Sequence, residues 1–405
     1  MKRLTSLSDD IKQYLVVTGN YWAFTLTDGA LRMLVVLHFH ALGYSPLSIA
    51  MLFLFYEIFG VVTNLVGGFL GARLGLNKTM NIGLAIQTIA LLMLAVPAEW
   101  LTVVYVMIAQ ALSGIAKDLN KMSAKSSIKM LVAAGQEGTL FKWVAVLTGS
   151  KNALKGVGFF LGGLLLTLLS FKGAMLLMAG VLALVWCYSL YALKNDLGKA
   201  KNKPKFTDIF SKSRSINILS AARLFLFGAR DVWFVVALPV FLSQVFEWDY
   251  WTVGGFLALW VIGYGIVQSM TPKIINFKDS VSPATETVKW ASLLALVTLG
   301  IALSLYFSWE VKTLLIAGLM VFGVLFAINS SLHSYLIVSM ADADGVSLDV
   351  GFYYMANAMG RLIGTVLSGW VFQLYGLAAC LGISFAFISL AALISAKLPA
   401  TGRTK

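Results

Sequence analysis

Residues 143–169, WVAVLTGSKNALKGVGFFLGGLLLTLL, form an apolar stretch that is long enough to cross a membrane and has Lys155 near its midpoint. Three further stretches share this arrangement: 18–42 with Arg32, 216–244 with Arg230 and 349–374 with Arg361. At about 1.5 Å per residue, each base falls within roughly 3 Å of the centre of its stretch. A charge at that depth costs about 2.5–3.5 kcal/mol, so it normally faces protein or a wet cavity. The four bases therefore indicate a binding site for something negatively charged.

The composition is that of a membrane protein. Of the 405 residues, 59% are hydrophobic and only 12% are charged, and the mean hydropathy is +0.84. A soluble chain would carry about a quarter charged residues. Because a backbone in lipid must satisfy its own hydrogen bonds, we predict an all-α fold. The sequence predicts twelve transmembrane helices: 18–42, 47–70, 79–97, 100–120, 143–169, 173–193, 216–244, 251–272, 290–308, 312–334, 349–374 and 376–396.

The net charge of +13 is distributed to one side of the predicted membrane. With the N-terminus placed inside, 22 of the 31 Lys and Arg residues lie in inward tails and loops, two lie in outward loops and seven lie within spans. This asymmetry predicts a multi-pass protein with both termini in the cytoplasm. It explains the basic charge without a nucleic-acid partner. Residues 1–17 carry five charges and do not have the pattern of a cleavable signal peptide.

One long polar loop, 194–214, separates two sets of six predicted spans. It reads KNDLGKAKNKPKFTDIFSKSR and contains seven Lys or Arg residues, as expected of a solvated linker. We therefore predict an N-terminal bundle at 1–193 and a C-terminal bundle at 215–405. A faint internal repeat supports this division. Its matched pairs, 203 or 206 positions apart, are Asp28 with Asp231, Gly60 with Gly263, Lys155 with Arg361, Gly158 with Gly364 and Gly163 with Gly369.

Two local motifs resemble signatures of the major facilitator superfamily. GGFLGARLGLNK (Gly67–Lys78) is similar to the loop signature between helices 2 and 3, with Ala72 where that signature has an acid. VGFFLGG (Val157–Gly163) is similar to the fifth-helix signature, with Phe159 in place of proline. The second signature is typical of antiporters and favours export, although small residues also let any membrane helices pack closely. The resemblance implies two six-helix bundles with pseudo-twofold symmetry and a substrate site between them near the midplane.

Charged residues inside the predicted spans are the candidates for binding. Seven bases and four acids leave an excess of three positive charges, which an anionic ligand would neutralise. Alternatively, water in a cavity and loss of protons from lysines absorb the excess. Since guanidinium and ammonium groups suit phosphate or carboxylate oxygens, we predict five anion ligands: Lys155, Arg230, Arg361, Arg32 and Lys151. The two remaining bases, Lys117 and Arg223, lie nearer the cytoplasmic ends and either snorkel or join the site.

Sequence spacing suggests how some of these charges pair. Asp28 and Arg32 are four residues apart and share a helical face. Arg230 and Asp231 are adjacent and are expected to point in different directions, so Asp231 should meet a base on another helix. Glu57 has no obvious partner in the sequence.

Four residues are candidates for proton coupling or for charge pairing: Asp28, Glu57, Asp231 and His38. A buried carboxyl can exchange a proton during transport, and a histidine near the outer end of the first span can respond to the outside pH. Hydrogen bonds that pack helices together explain these residues about as well.

A basic stripe, defined by Lys117, Lys121 and Lys125, repeats every four residues near the cytoplasmic end of the fourth span. It is either a positive-inside anchor or an electropositive entrance that gathers a cytosolic anion.

The residues do not indicate an enzyme. No segment matches GxxxxGK[ST], and the three histidines form no catalytic or metal-ligand pattern. Cys187 and Cys380 lie inside predicted spans and are expected to be buried apolar residues. We therefore expect no cofactor and no metal site.

Four longer runs resemble the ArsJ-type organoarsenical efflux permeases, within a similarity that extends over nearly the whole chain. They are GNYWAFTLTDGALRMLVVLHFHALGY (Gly19–Tyr44), ALSGIAKDLNKMSAKS (Ala111–Ser126), LTGSKNALKGVGFFLGG (Leu147–Gly163) and LFGARDVWFVVALPV (Leu226–Val240). The resemblance implies export of 1-arseno-3-phosphoglycerate across the bacterial inner membrane. It also implies a functional link to a glyceraldehyde-3-phosphate dehydrogenase, which makes this arsenate ester in the cytosol. We expect a monomer whose partners are the small anion and the lipid bilayer.

Two other functions are compatible with the residues. The same fold and basic site suit the uptake or exchange of another phosphorylated or carboxylated organic anion. A non-transporting receptor or scaffold is also possible in principle, but it would not need bases at the middle of both halves. Trivalent arsenite would require soft thiolate ligands, and two separated cysteines are a poor provision for it.

Overall fold

A computed structural model describes residues 9–44, 52–133, 135–193, 197–201, 205–206, 212–275 and 282–399. Within this part the regular elements are α-helices and one short 3-10 helix, Ala98–Trp100. The α-helices are α1 Asp9–Ala41, α2 Leu54–Leu74, α3 Leu76–Leu94, α4 Val103–Leu131, α5 Glu137–Ala192, α6 Arg214–Phe234, α7 Ala237–Val245, α8 Tyr250–Ile274, α9 Pro283–Tyr306, α10 Val311–Met340 and α11 Val346–Ser395. The predicted all-α class is confirmed.

Two of the helices are interrupted. In α5, Ser170 has a positive φ of 62°, and in α11, Gly376 has a φ of 76°, so each helix consists of two segments. Counting these segments separately and α6–α7 as one span, the described part contains twelve helical segments at the places of the twelve predicted spans. The first residues of the predicted span 47–70 lie outside the described residues.

Seven helical stretches of the described part are long and apolar enough to cross a membrane. They are Leu54–Leu74, Glu137–Ala192, Arg214–Val245, Thr252–Ile274, Thr285–Tyr306, Val311–Met340 and Val346–Ser395. The two interrupted helices count once each in this set.

The predicted continuous helix 216–244 is broken instead between Phe234 and Ala237. Pro239 explains the break, because a proline ring clashes with the carbonyl four residues before it and lacks an N–H. The freed backbone finds a new acceptor, since Ser368 Oγ of α11 accepts hydrogen bonds from Val236 N (3.4 Å) and Ala237 N (3.1 Å).

Local signals in the sequence set where several helices begin. A side-chain oxygen caps the N-terminus by accepting the N–H three residues on, for Thr102, Ser213, Asp249 and Ser282. Between α2 and α3 the chain turns at Gly75 alone, with a φ of 99°. Because a side chain is strained in that conformation, this glycine of the Gly67–Lys78 motif has a conformational role.

The chain divides into two compact units. Unit 1 comprises Met1–Trp143, Ser150–Ser211 and Asp342–Phe352, and unit 2 comprises Val144–Gly149, Lys212–Ala341 and Tyr353–Lys405. Two short segments therefore belong to a different unit from the one their position in the sequence suggests. One of them, Asp342–Phe352, belongs to unit 1, where Ser347 Oγ donates to Gly68 O over 2.7 Å. The predicted domains at 1–193 and 215–405 stay a prediction.

Unit 2 has an aromatic core that holds α6 in place. The ring of Trp233 on α6 packs edge-on against Phe322 and Trp260, with centroids 4.9 Å and 6.1 Å apart. Trp260 Nε1 in turn donates to Leu319 O over 2.9 Å. This core fixes the helix that carries the charged residues of unit 2.

Candidate functional site

Asp231 on α6 is the centre of a charged group in unit 2, here named the Asp231 cluster (Arg230, Asp231 and Arg361). The Asp231 side chain is fully buried. Arg230 Nε donates to its Oδ1 over 2.6 Å, and Arg361 Nε of α11 donates to its Oδ2 over 2.9 Å. One carboxylate thus bridges two guanidinium groups. The structure thus brings together Arg230 and Arg361, two of the five predicted anion ligands.

This geometry corrects one expectation and confirms another. The expectation that Arg230 and Asp231 point in different directions is wrong, because the long arginine side chain folds back to reach the carboxylate beside it. The expectation that Asp231 meets a base on another helix is confirmed by Arg361, which is 130 positions away in the sequence.

Glycines allow α6 and α11 to approach closely enough for this contact. A Cβ at Gly360 would lie 2.0 Å from Leu224 O, and one at Gly364 would lie 2.6 Å from Gly228 O and 3.1 Å from the Asp231 Cβ. The two backbones are therefore in direct contact. Any larger residue at Gly360 would push Arg361 away from Asp231.

A second charged group, the Tyr56 cluster (Asp28, Arg32, Tyr56, Glu57 and Lys117), lies in unit 1. Tyr56 Oη of α2 donates to Asp28 Oδ1 of α1 over 2.6 Å. Arg32 Nη2 donates to Glu57 Oε1 over 3.1 Å, so Glu57, for which the sequence shows no partner, has one in the structure.

Two cations lie over the Tyr56 ring. The Arg32 guanidinium carbon is 4.0 Å from the ring centre, and Lys117 Nζ is 3.8 Å from it. Such contacts between a cation and an aromatic face are favourable, most of all when water is excluded. Tyr56 therefore organises the cluster, although the sequence alone gave no reason to select it.

Lys155 on α5 lies within electrostatic range of Asp28, as do Arg32 and Lys117. The backbones of α1 and α5 touch at this level, since a Cβ at Gly29 would lie 2.7 Å from Lys155 O. A Cβ at Gly158 would meet Leu26 O at 2.9 Å.

Each unit therefore contains the same local arrangement. An acid on one helix (Asp28 or Asp231) lies within electrostatic range of a base on another helix (Lys155 or Arg361), where two helices are in contact through glycines. These are the residues that the internal repeat pairs. The repeat thus has a structural counterpart within each unit taken by itself.

The basic stripe is less exposed than a solvated surface would be. Lys121 Nζ lies 2.6 Å from Asp118 Oδ1, and Lys117 Nζ lies 3.8 Å from Asp118 Oδ2. Lys125 is buried. Asp118 thus neutralises part of the stripe, and its role as an entrance stays a prediction.

Two other predicted residues have contacts with residues outside these clusters. Lys151 Nζ donates to Asn152 Oδ1 over 3.3 Å. The ring of His38 stacks on Phe171, with centroids 4.2 Å apart, which agrees with a packing role. Cys380 is buried as expected, but the expectation for Cys187 is wrong, because Cys187 is exposed.

Arg223 is the residue whose importance the sequence left undecided. It does not snorkel, because its side chain is buried and Nε donates to Asn357 Oδ1 over 2.9 Å. Asn357 lies one helical turn before Arg361 on α11. The only signal for Arg223 in the sequence was its position two helical turns before Arg230, on the same face of the helix.

Comparison with known proteins identifies the fold. The sequence profile of the Major Facilitator Superfamily matches residues 15–285. No curated protein matches the sequence significantly.

Several solved structures are similar over almost the full chain. The human organic anion transporter MFSD10 has a TM-score of 0.73 and 15% identity, covering 96% of this chain and 100% of that chain. A bacterial homologue of the iron transporter ferroportin, in an outward-facing state, has a TM-score of 0.74 and 14% identity, covering 97% and 99%. The fucose:proton symporter of E. coli has a TM-score of 0.76 and 11% identity, covering 97% and 100%. These likenesses show the fold alone, and the predicted major facilitator fold is confirmed.

Proposed function

Because the chain belongs to the Major Facilitator Superfamily, a class of multi-pass membrane transporters, we propose that it exports the anionic organoarsenical 1-arseno-3-phosphoglycerate and so confers arsenate resistance. In this proposal it is a monomeric antiporter of the bacterial inner membrane with both termini in the cytoplasm. A glyceraldehyde-3-phosphate dehydrogenase forms the ester in the cytosol, and the transporter removes it. The four runs that resemble ArsJ-type permeases support this substrate.

The charge balance of the Asp231 cluster carries the proposal of an anionic substrate. A single carboxylate serves two guanidinium groups, so the cluster holds one positive charge more than it neutralises. Exposing that charge to lipid would be costly, whereas a bound anion completes the balance.

The two arginines are placed to receive such an anion. Their side chains are 16% and 26% exposed, while Asp231 beneath them is fully buried. Arg230 uses Nε and Nη2 toward Asp231, and its Nη1 has no acceptor among the described residues. Guanidinium groups bind phosphate and arsenate oxygens with paired hydrogen bonds, so the exposed edge suits either group.

Unit 1 supplies the remaining parts of the proposal. Arg32, Lys151 and Lys155 are proposed to bind the anion there, with Lys117, Lys121 and Lys125 at the cytoplasmic entrance. Asp28 and Glu57 are the proposed proton-coupling acids, since both lie beside these bases. Transport that is unaffected by collapse of the proton gradient would contradict the coupling.

Everted membrane vesicles test the proposal directly. They are supplied with arsenate, glyceraldehyde-3-phosphate, NAD and the dehydrogenase, and the arsenic that accumulates inside is measured. We expect accumulation only when every component is present. Since removal of one partner of a buried charge pair costs about 2–5 kcal/mol, Arg230→Gln and Arg361→Gln should reduce accumulation about 30-fold or more.

The matched control is Arg214→Gln, which removes an exposed arginine from the first turn of α6. This control should transport like the unmodified protein. Wild-type accumulation by both cluster variants would overturn the proposed site. Transport of 3-phosphoglycerate with no preference for the arsenate ester would instead identify a transporter of another phosphorylated anion.

A further inference from the structure

Arg223 has an unusual position for a cation, because its side chain is only 3% exposed and its polar partners are neutral. Nε donates to Asn357 Oδ1 over 2.9 Å, and Nη1 donates to Ser330 O over 3.3 Å and to Ser330 Oγ over 3.4 Å. None of the described acids forms an ion pair with it. Its charge is thus solvated by dipoles and not neutralised.

The acceptors of Arg223 are themselves held in place. Gln268 Nε2 of α8 donates to Ser330 Oγ over 3.0 Å and to Tyr264 Oη over 3.3 Å. Gln268 and Ser330 are both buried. The guanidinium is therefore fixed in orientation by residues from three other helices.

Three polar side chains near this guanidinium have unused hydrogen-bonding capacity. Tyr353 Oη and Ser334 Oγ are buried and interact with each other, and neither they nor the buried His333 Nδ1 have a further hydrogen-bond partner among the described residues. The Tyr353 ring centre is 5.2 Å from the Arg223 guanidinium carbon. His333 lies within electrostatic range of Arg223, and Ser334 lies beside Tyr353. Two hydroxyls that have no partner beyond each other, and an imidazole, beside an un-neutralised cation are the groups that a tetrahedral oxyanion binds.

The distance to the Asp231 cluster is short. The Phe227 ring centre lies 3.8 Å from the Arg223 guanidinium carbon and 5.1 Å from that of Arg230. The two guanidinium carbons are therefore no more than about 9 Å apart. This limit is short enough for a three-carbon chain with an acidic group at each end to span the two guanidinium groups.

We propose that Arg223, Tyr353, Ser334 and His333 form a second oxyanion site, and that unit 2 selects anions with an acidic group at both ends. The Asp231 cluster binds one end and the Arg223 site binds the other. This inference rests on the proposed function, since it concerns the same substrate. It adds that a phosphate ester with an acidic group at one end only binds weakly.

Binding of a matched pair of stable probes to the purified full-length protein tests this inference. The probes are 1,3-propanediol bisphosphate and 1,3-propanediol monophosphate, and isothermal titration calorimetry gives their dissociation constants. A second charged contact at a buried site should make the bisphosphate bind about 10-fold more tightly or better. Arg223→Gln and Tyr353→Phe should abolish this preference while changing monophosphate affinity less than about two-fold.

Arg361→Gln should weaken both probes, and Arg214→Gln should weaken neither. Binding of the monophosphate shows that each variant is folded. If Arg223→Gln does not fold, the milder substitutions Tyr353→Phe and Arg223→Lys test the same site. A bisphosphate preference that persists in Arg223→Gln and Tyr353→Phe would overturn the second site alone. If neither probe bound the unmodified protein, the proposed anion transport would fail as well.

Discussion

Asp231→Asn tests whether this carboxylate holds two arginine side chains in position to bind an anion. The substitution keeps the size of the side chain and removes its charge. Breaking a buried ion pair by removing one partner costs about 3–5 kcal/mol. Because the arginine side chains are 16% and 26% exposed, water compensates in part, and we expect a loss near the lower limit, about 3 kcal/mol.

The same substitution should strengthen anion binding. An anion on the outer edge of the guanidinium groups lies about 6 Å from the Asp231 carboxylate, and at an effective dielectric constant of about 20 their repulsion is about 2.8 kcal/mol. Removing it corresponds to about 100-fold in affinity, and solvent screening at the partly exposed arginines reduces this to about 10-fold. Transport should nevertheless slow, because the anion leaves more slowly.

Calorimetry with inorganic phosphate and thermal unfolding of the purified protein measure the two effects together. The expected result is tighter phosphate binding with a lower unfolding midpoint. The double variant Asp231→Asn/Arg361→Gln should be more stable than the sum of the single losses by about 1 kcal/mol or more, because it leaves one guanidinium without the Asp231 carboxylate, whereas Asp231→Asn alone leaves two. The reasoning is refuted if Asp231→Asn weakens phosphate binding as much as Arg361→Gln does.

Two further substitutions test the packing beneath the clusters. Gly360→Ala places a Cβ 2.0 Å from Leu224 O, so it should lower the free energy of unfolding by about 1–3 kcal/mol and abolish vesicle transport. The control Gly369→Ala has no atom within 4 Å of its new Cβ and should do neither, so equal behaviour of the two variants would contradict direct contact between the helices. Tyr56→Phe removes a hydrogen bond to a buried carboxylate and should lower stability by about 1.5–3 kcal/mol, against about 1 kcal/mol for Tyr105→Phe, whose hydroxyl donates to a backbone carbonyl. A smaller loss for Tyr56→Phe than for its control would show that the hydroxyl does not organise the unit 1 cluster.

Much of the fold follows from local properties of the sequence. Apolar stretches of membrane length, such as 143–169, are enough to predict helices, because a lipid environment leaves the backbone few alternatives. Breaks are local as well, since Gly376 permits a positive φ and Pro239 prevents a continuous helix at 216–244. The break at Ser170 falls at the predicted boundary between two spans.

Charged residues at the middle of predicted helices are also visible in the sequence, and they identify Arg230 and Arg361 as candidate anion ligands. Depth alone could not show that these two arginines share Asp231, or that Arg223 is buried among neutral groups. Those facts depend on side chains from α6, α8, α10 and α11, which are distant in the sequence. Only the tertiary structure decided them, because a side chain's partner is set by where helices touch, and one glycine such as Gly360 controls that approach.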